Sequence, residues 1–543
     1  MLNQPPPLVD VDVVACDPAL VAGIGREGAG WAAEELGVLG RRAGSAEAQA
    51  WARHANESPP VLRTHDRYGF RIDEVEYHPD YHRLMDVAVT HGLHAAPWSD
   101  PRPGAHVARA AGFYAWSQNE AGHGCPISMT YSIVPALRAA PDVAAAWEPR
   151  LTARSYDPSY RPAADKLGAI AGMAMTEKQG GSDVRANTSR AVVDGDGYRL
   201  TGHKWFCSAP GSDLFLMLAN TDAGITCFAV PRYRPDGSRN PVHIQRLKDK
   251  LGNRSNASGE IEFDEVWGER VGDEGRGVAT IIAMVNHTRL DCVIGSAAGM
   301  RAALVQALHH TAHRAAFGRR LAEQPLMQQV LADLALESEA ATTLMLRLAR
   351  AYDTVATGGD AESESSFRRL ATAVAKYWVC KRQPVVVVEA LECLGGAGYV
   401  EDSGLPRLFR ESPLNGIWEG SGNVIALDVL RAVGREPGAL DAVRAEIALA
   451  AGADARLDRA ITDLDASLVE LAAASGPDAQ RQARSLTERL ALALQGSLLV
   501  RHSDPAVADA FCATRLGGDH GVTLGTLPAG VDTEAILARA WPT

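Results

Sequence analysis

The chain has 543 residues, more than a single hydrophobic core usually holds, so several structural units are expected. Apolar residues make up 46% of the sequence and charged residues 22%, a globular composition that argues against long disordered segments. The net charge is −12, which excludes a protein that binds nucleic acids or anionic lipids over a broadly cationic surface.

No apolar run approaches the ~20 residues that span a bilayer, so we expect no membrane span. The first twenty residues lack the basic and apolar regions of a secretory signal. The eight cysteines are scattered without a Cys-x-x-Cys pair, which is typical of buried thiols in a reducing compartment. We therefore expect a cytoplasmic protein with neither a disulfide framework nor a zinc site.

Helical patterns surround one β-rich segment. Short helical patches with proline breaks occupy the first sixty residues, and helical spacing runs from about Asp73 to Leu151. Between about Ala169 and Arg270, five short apolar runs separated by polar turns predict a mostly antiparallel β-unit.

Long helical segments follow the β-unit. Three of them cover roughly residues 278–316, 325–353 and 366–394, and helices of that length joined by short turns predict an antiparallel bundle. From Leu457 to Leu471 apolar residues recur at steps of four and three, which predicts a helix packed along one side. Ordinary core packing explains this last pattern as well as a coiled-coil seam does.

The first motif with chemical potential is the segment 175–183, MTEKQGGSD, which lies where the first helical region meets the β-unit. Its glycines let a backbone approach a flat or anionic ligand closely, and Thr176 and Ser182 supply hydroxyl groups. The segment is not a Gly-x-Gly-x-x-Gly motif after a strand, so a Rossmann-type dinucleotide fold is not supported. Taken alone, it is either a turn or a binding loop.

The second motif is KWFCS, residues 204–208, at the end of a predicted strand. An indole beside polar residues suits stacking on a planar heteroaromatic ring. A core tryptophan is the alternative for Trp205.

The third motif is IWEGSGN, residues 417–423, followed by a helical pattern. Ser421 or Asn423 is expected to cap that helix, whose first N–H groups then favour an anion. Glu419 stands beside an indole and two glycines, and a carboxylate in partly apolar surroundings is a good proton acceptor near neutral pH. The alternative for Glu419 is a solvated surface carboxylate.

Together the three motifs resemble the acyl-CoA dehydrogenase family of flavoproteins. KLGNRS at 250–255, RAAFG at 314–318 and LGGAGY at 394–399 resemble further elements of that family, so the resemblance covers about residues 75–435. The sequence variants at these motifs are similar to those of the AidB-like branch of adaptive-response flavoproteins. They are MTEKQGGSDV, KWFxS, RLKDKLGNRSNAS and IWEGSGN. The helical extension after the bundle is a further similarity to that branch. With that branch the resemblance extends over essentially the whole chain.

The resemblance implies an α+β fold that is mostly α. It consists of an N-terminal helical domain, a central antiparallel β-domain, a C-terminal four-helix bundle and an extra C-terminal helical region. The predicted boundaries are 1–60 for an N-terminal extension, 61–168 for the N-terminal helical domain, 169–275 for the β-domain, 276–436 for the bundle and 437–543 for the extra region.

The resemblance also implies the site. FAD would be the cofactor and Glu419 the catalytic base, which would remove the α-proton of an acyl-CoA thioester while the β-hydride passes to flavin N5. The residues that it assigns to FAD are Met175, Thr176, Gly181, Ser182, Trp205, Phe206, Cys207, Ser208, Trp418, Gly420, Ser421 and Asn423 in one subunit, with Arg314 and Phe317 reaching the FAD of a neighbouring subunit. Some members carry the base one residue before the arginine that corresponds to Arg289, but Thr288 cannot act as a base.

Two departures from the family pattern concern the flavin. Cys207 replaces the usual threonine and is a weaker hydrogen-bond donor, so the contact is expected to pass to Ser208. Glu392 stands where many members carry a glutamine near the partner subunit's FAD. The resemblance further implies a homotetramer and an electron-transfer flavoprotein as a partner.

Binding of duplex DNA with weak or vestigial dehydrogenase activity is the alternative function, since AidB-type proteins are described as binding DNA through a basic C-terminal region. Residues 441–543 hold nine Arg, no Lys and fourteen Asp or Glu, which is the opposite of a phosphate-binding footprint. A stripe of Arg481, Arg484 and Arg489 is the one local exception. His78 with His82, and the triplet His309, His310 and His313, have helical spacing but no completing ligands, so no metal site is predicted.

Overall fold

The computed structural model describes residues 3–541 and, among them, eighteen α-helices and eleven β-strands. The helices are α1 (Pro18–Arg26), α2 (Ala33–Ala43), α3 (Ala46–Glu57), α4 (Pro79–Thr90), α5 (Ala96–Ser99), α6 (Ala105–Ser117), α7 (Gly124–Leu137), α8 (Pro141–Leu151), α9 (Gly277–His313), α10 (Pro325–Thr357), α11 (Ala361–Cys393), α12 (Leu405–Glu411), α13 (Gly422–Arg435), α14 (Pro437–Ala448), α15 (Ala455–Ala473), α16 (Gly476–His502), α17 (Pro505–Phe511) and α18 (Thr533–Ala540). The strands are β1 (Val61–His65), β2 (Arg71–Glu76), β3 (Ala171–Ala174), β4 (Arg190–Asp194), β5 (Gly197–Ser208), β6 (Leu214–Thr221), β7 (Gly224–Pro231), β8 (Val242–Leu247), β9 (Ser258–Val271), β10 (Ala315–Ala316) and β11 (Arg319–Arg320).

The chain divides into two compact units. Unit 1 contains residues up to 46, residues 102–119 and residues from 289 onward, and unit 2 contains residues 47–101 and 120–288. The division falls inside α9, between Thr288 and Arg289. The outer limits of two predicted domains, at residues 1 and 543, lie outside the described residues.

A seven-stranded sheet forms the centre of unit 2. The five apolar runs of the sequence are the strands β5 to β9, as predicted, and β3 and β4 complete the sheet. The pairing is mostly antiparallel, with a parallel pair between β3 and β6, and the chain of pairings β4–β5–β9–β7–β6–β4 closes into a ring. Alternate side chains of these strands fill its core, including Leu200, Phe215, Phe228 and Val266.

A β-bulge interrupts β5 where the second motif begins. Lys204 pairs with Ile261 and Cys207 with Gly259, so Trp205 and Phe206 together oppose one residue of β9. In a regular strand side chains alternate between faces, but this extra residue leaves Lys204 and Cys207 both buried. Trp205 is therefore only half-buried and Phe206 is exposed, so the bulge turns both rings out of the core.

Unit 1 is built on the three long helices α9, α10 and α11, whose bounds agree with the three predicted helical segments. Helices α13, α14 and α16 pack on α11, and α15 packs on α16. The predicted seam of α15 is confirmed, since Leu457, Leu464 and Leu471 are buried. Among residues 3–541, no helix combines the length and the apolar character needed to cross a bilayer.

The sequence did not predict the hairpin β1–β2, which pairs Val61 with Glu76 in unit 2. No residue of β1 is fully buried. Its side chains alternate between exposed and half-buried positions along the strand. A strand of that kind carries no apolar alternation from which to recognise it.

Candidate active site

The loop from β3 to β4 in unit 2 carries the first motif, and Glu177 holds it together. The carboxylate of Glu177 accepts hydrogen bonds from the N–H groups of Thr188 at 2.6 Å and Ser189 at 3.2 Å. It also accepts one from Nζ of Lys204 at 2.8 Å, and both side chains of this ion pair are fully buried. One carboxylate thereby ties the two ends of the loop to strand β5.

Burial by itself raises the pKa of Glu177, but the Lys204 ammonium and the hydrogen bonds outweigh it and lower the pKa to about 2. The carboxylate is therefore ionised throughout the physiological range. The ionised carboxylate of Glu177 therefore stabilises the shape of the loop.

Four predicted cofactor residues, Met175, Thr176, Gly181 and Ser182, lie along this loop. The N–H of Trp205 donates to the carbonyl of Thr176 at 2.8 Å, and Nδ2 of Asn187 donates to the carbonyl of Met175 at 2.9 Å. A Cβ on Gly181 would lie 2.8 Å from Oγ1 of Thr176, so only glycine lets the loop fold back on that hydroxyl. Met175 and Thr176 are half-buried, while Gly181 and Ser182 are exposed.

The side chains of the second motif differ in how accessible they are to a ligand. Nζ of Lys248 lies 3.5 Å from the ring centroid of Trp205, and it is held there by the carboxylate of Glu260. The Cys207 thiol is part of the sheet core, and burial raises its pKa to about 12. Of Cys207, only backbone groups are therefore available for the predicted flavin contact, whereas Ser208 is half-buried.

The third motif lies in unit 1 and has an unusual backbone. Glu419 has a φ of 57° and Gly420 a φ of 107°, both in the left-handed region that a non-glycine residue rarely adopts. Nζ of Lys376 donates to the carbonyls of Trp418, at 2.8 Å, and of Gly420. Nε of Arg289 donates to the carbonyl of Glu419 at 3.0 Å. Three consecutive carbonyls are thus held by two cations.

These two cations are themselves fixed. Lys376 is 1% exposed on α11, and Arg289 on α9 pairs with Asp428 of α13 at 2.8 Å. Asp428 also pairs with Arg369 at 3.2 Å. Burial raises the pKa of Asp428, but the two arginines outweigh it and hold the pKa below its usual range.

Hydrogen bonds also fix the side chain of Trp418, which precedes Glu419 in the chain. Nε1 of Trp418 donates to Oδ1 of Asn415 at 2.8 Å, and Nδ2 of Asn415 donates to Oγ of Ser296 at 3.1 Å. Ser421 occupies the N-cap position of α13, as expected, but its side chain makes no capping hydrogen bond. Asn423 lies in the first turn and is exposed.

The last two predicted residues lie at the hairpin β10–β11, with Arg314 directly before β10 and Phe317 in the turn. Nη1 of Arg314 donates to the carbonyl of Asn3 at 2.6 Å, and Oδ1 of Asn3 accepts from the N–H of Ala315 at 2.7 Å. Phe317, at the turn, has a φ of 53° and is 97% exposed. A phenyl ring presented this fully to solvent is unusual in a folded chain.

Sequence reasoning missed the residues that hold the two motifs in shape, namely Glu177, Lys204, Arg289, Lys376 and Asp428. A signal existed for Lys376, because it is a single charge within the apolar run ATAVAKYWVC. No such signal exists for Asp428, because its ion pairs with Arg289 and Arg369 form only when α9, α11 and α13 pack together.

Four other sequence expectations concern side chains outside these motifs. Thr288 donates to the carbonyl of Val285 at 3.0 Å within its own helix, and Glu392 is exposed. All eight cysteines are buried, and none forms a disulfide within the described part of the chain. Residues 3–541 hold no group of three or more His, Cys, Asp or Glu side chains placed to bind a metal ion.

Comparisons with known proteins identify the architecture. The acyl-CoA dehydrogenase middle-domain model matches residues 172–266, and the C-terminal-domain model matches residues 275–434. AidB of Escherichia coli (strain K12) is 45% identical over 527 residues, which are 96% of this chain and 95% of that protein. The chain belongs to the acyl-CoA dehydrogenase family. Within this family it falls in the AidB-like branch, because the model of the AidB N-terminal domain matches residues 3–158.

Two solved structures share the fold over nearly the whole length. Caenorhabditis elegans ACDH-11, in complex with C11-CoA, has a TM-score of 0.86 at 27% identity and covers 94% of this chain and 93% of its own. Bd2924 in its apo-form has a TM-score of 0.82 at 28% identity and covers 94% and 99%. The similarity thus includes the C-terminal region after residue 436.

Membership of the acyl-CoA dehydrogenase family makes this chain a flavoprotein with FAD as its cofactor. The residues present fit such a group. Near Met175, the buried Oδ1 of Asn187 has no hydrogen-bond partner among the described residues. The backbone at Gly181 lies close to the side chain of Thr176, in a space that a Cβ would fill. The first N–H groups of α13 lack a side-chain cap, which suits an anionic part of the cofactor.

The structure places the arginines of the DNA-binding alternative in different surroundings. Arg481 pairs with Asp478, and Arg484 lies over the ring of Tyr377 at 5.9 Å. The arginine stripe considered from the sequence is therefore partly neutralised, and neither the comparisons nor the described residues favour DNA binding.

Proposed function

We propose that this acyl-CoA dehydrogenase-like flavoprotein oxidises an acyl-CoA thioester at its α and β carbons, with Glu419 as the base. The observation that carries the proposal is the backbone of Glu419, held in the left-handed region by Lys376 and Arg289. Backbone strain of this kind costs about 1–3 kcal/mol and persists where surrounding contacts impose it, often at active sites. The complex of ACDH-11 with C11-CoA supports an acyl-CoA as the substrate class.

In this proposal the carboxylate of Glu419 accepts the α-proton. A free carboxylate is too weak a base for an α-C–H, so donors must stabilise the thioester oxygen as negative charge develops on it. The backbone N–H of Glu419 is the donor that this chain contributes. Bound FAD supplies the hydride acceptor for the β-carbon.

The proposed FAD contacts of unit 2 are Met175, Thr176, Gly181, Ser182, Trp205, Phe206, Ser208 and the backbone of Cys207. Those of unit 1 are Trp418, Gly420, Ser421 and Asn423. The half-buried indole of Trp205 and the exposed ring of Phe206 offer aromatic faces to a planar ring, because the bulge in β5 keeps both out of the core.

We further propose that the protein assembles with copies of itself, as a homotetramer, and that Arg314 and Phe317 complete the FAD site of a neighbouring subunit. The exposed apolar side chains of unit 1 support this, since Phe317 is 97%, Tyr399 83% and Ile417 62% exposed. Large exposed apolar side chains are typical of surfaces that a partner covers.

Anaerobic titration with acyl-CoAs of different chain length tests the enzyme proposal. At least one acyl-CoA should bleach the visible flavin band of the wild type, and Glu419→Gln should abolish the bleaching while it retains bound FAD. Glu470→Gln, at an exposed position on α15, is the matched control and should bleach like the wild type. Bleaching by Glu419→Gln at the wild-type rate would contradict the assignment of the base.

A further inference from the structure

Two cations converge on the first turn of α13. A Cβ on Gly422 would lie 2.9 Å from Nζ of Lys381 and 3.3 Å from Nη2 of Arg484. Lys381 comes from α11 and Arg484 from α16, and these two helices pack on each other and on α13. Three elements therefore bring two positive charges to a single backbone position.

No carboxylate of the described residues neutralises this pair. Within residues 3–541 neither Lys381 nor Arg484 lies within 4.0 Å of an acidic oxygen. Both lie over the ring of Tyr377, with Nζ of Lys381 at 5.4 Å and Cζ of Arg484 at 5.9 Å. Like charges held together repel, so an arrangement of this kind is stabilised when an anion binds between them.

The environment of Lys381 disfavours its positive charge. Burial lowers the pKa of Lys381, and the positive charges of Arg484 and Lys376 lower it further. Glu488, on the same face of α16, acts on Tyr377 and pairs with neither cation.

The helix adds a second attraction for negative charge. Helix α13 has 14 residues, and Ser421 at its N-cap position makes no side-chain capping bond. The first N–H groups of such a helix and its dipole favour an anion. The cations and the helix terminus act on the same volume, around Gly422.

We infer that Lys381 and Arg484 bind the diphosphate of FAD, together with the first turn of α13. The inference rests on the proposed assignment of Ser421 and Asn423 to FAD, because these residues flank Gly422. Arg484 lies beyond residue 434, where the match to the acyl-CoA dehydrogenase C-terminal domain ends. The extra C-terminal region thereby gains a role in holding the cofactor. An acyl-CoA carries a similar diphosphate, so the test separates the two sources.

The test compares wild type, Lys381→Gln, Arg484→Gln and the double variant, each stripped of flavin and titrated with FAD by fluorescence. Each single change should weaken FAD binding about tenfold, since a charge-assisted contact to phosphate is worth roughly a factor of ten in affinity. Arg484→Lys should recover part of the loss. The affinity for riboflavin, which has no phosphate, should not change.

Arg481→Gln is the matched control, because Arg481 lies on the same helix, is exposed and is paired with Asp478. It should bind FAD like the wild type. Circular dichroism melting of all variants separates misfolding from lost contacts.

The outcomes separate this inference from the proposed function. Unchanged FAD affinity in the double variant overturns the inference, and so does a raised KM for acyl-CoA with unchanged FAD affinity, which assigns the site to CoA. A wild type that binds FAD but is not reduced by any acyl-CoA overturns the dehydrogenase proposal only.

Discussion

Glu419 has a backbone conformation that glycine adopts easily and glutamate does not, and its strain is balanced by contacts far away in sequence. Lys376, 43 positions earlier, donates to the carbonyls on either side of Glu419, and Arg289 donates to the carbonyl between them. Burial removes water from the Lys376 ammonium, and the two carbonyl oxygens replace that water as hydrogen-bond acceptors. The lysine therefore stabilises the backbone conformation that keeps both oxygens in place. Lys376 is therefore a positioning residue for the proposed base.

We expect Lys376→Met to weaken catalysis by misplacing Glu419. The variant should lower kcat for acyl-CoA oxidation about tenfold to a hundredfold, by analogy with the loss of other positioning contacts, while KM changes little. Stability should fall by about 1–3 kcal/mol because two partly buried carbonyls lose their donor. Stopped-flow flavin reduction and urea denaturation measure the two effects.

Arg435→Met removes an exposed cation at the last residue of α13 and should change neither quantity. If Lys376→Met lost stability yet kept the wild-type kcat, Lys376 would have a structural role only.

At the scale of elements, strand pairing in β5 and helix packing of α15 decide which side chains are buried and which are exposed. The bulge places Trp205 and Phe206 outside the core, where a regular strand would have buried one of them. On α15 the three buried leucines face α16, whereas Val469 on the opposite side is 71% exposed. The seam therefore attaches α15 to α16, the helix that carries Arg484.

We expect Leu464→Ala to destabilise the C-terminal region. Leu464 is 2% exposed, and removing a buried leucine side chain costs about 2–5 kcal/mol through lost transfer energy and the cavity left behind. Val469→Ala on the same helix should cost less than about 0.5 kcal/mol. Denaturation curves of both variants give the comparison, and equal losses would show that the seam is not the packed face.

Over the whole molecule, buried carboxylates paired with cations or hydrogen-bond donors stabilise both units. In unit 2 Glu177 pairs with Lys204, and Glu120 accepts from His123 and Ser255. In unit 1 Glu337 pairs with Arg382 and Arg515. For all three glutamates burial raises the pKa, but the surrounding cations and hydrogen-bond donors outweigh it and lower the pKa to about 2, below the ordinary 4.5.

These shifts predict loss of stability in acid. Because the folded pKa values are depressed, the stabilisation is fully present above about pH 4.5 and is lost as the pH falls toward about 2, on the order of 3 kcal/mol for each carboxylate. Melting temperatures at several pH values between 7 and 3 measure the loss. Glu177→Gln should melt lower than the wild type at pH 7 and lose less on acidification, and a parallel decline of both proteins would contradict the role of Glu177.

The sequence by itself determined the order of helices and strands, the family and the motifs. Apolar periodicity and turn residues are local properties, so the five apolar runs and the three long helices could be read directly from it. The sequence also pointed to Glu419, because its neighbours in the chain form part of the motif.

Only the tertiary structure decided how those motifs are held. Cys207 and Trp205 are two positions apart, yet a bulge that depends on pairing with β9 buries one and half-exposes the other. Lys376, Arg289 and Asp428 meet at the Glu419 loop, and Lys381 and Arg484 meet at Gly422, because separate helices pack side by side. Contacts between residues distant in sequence depend on packing geometry, which no local pattern records.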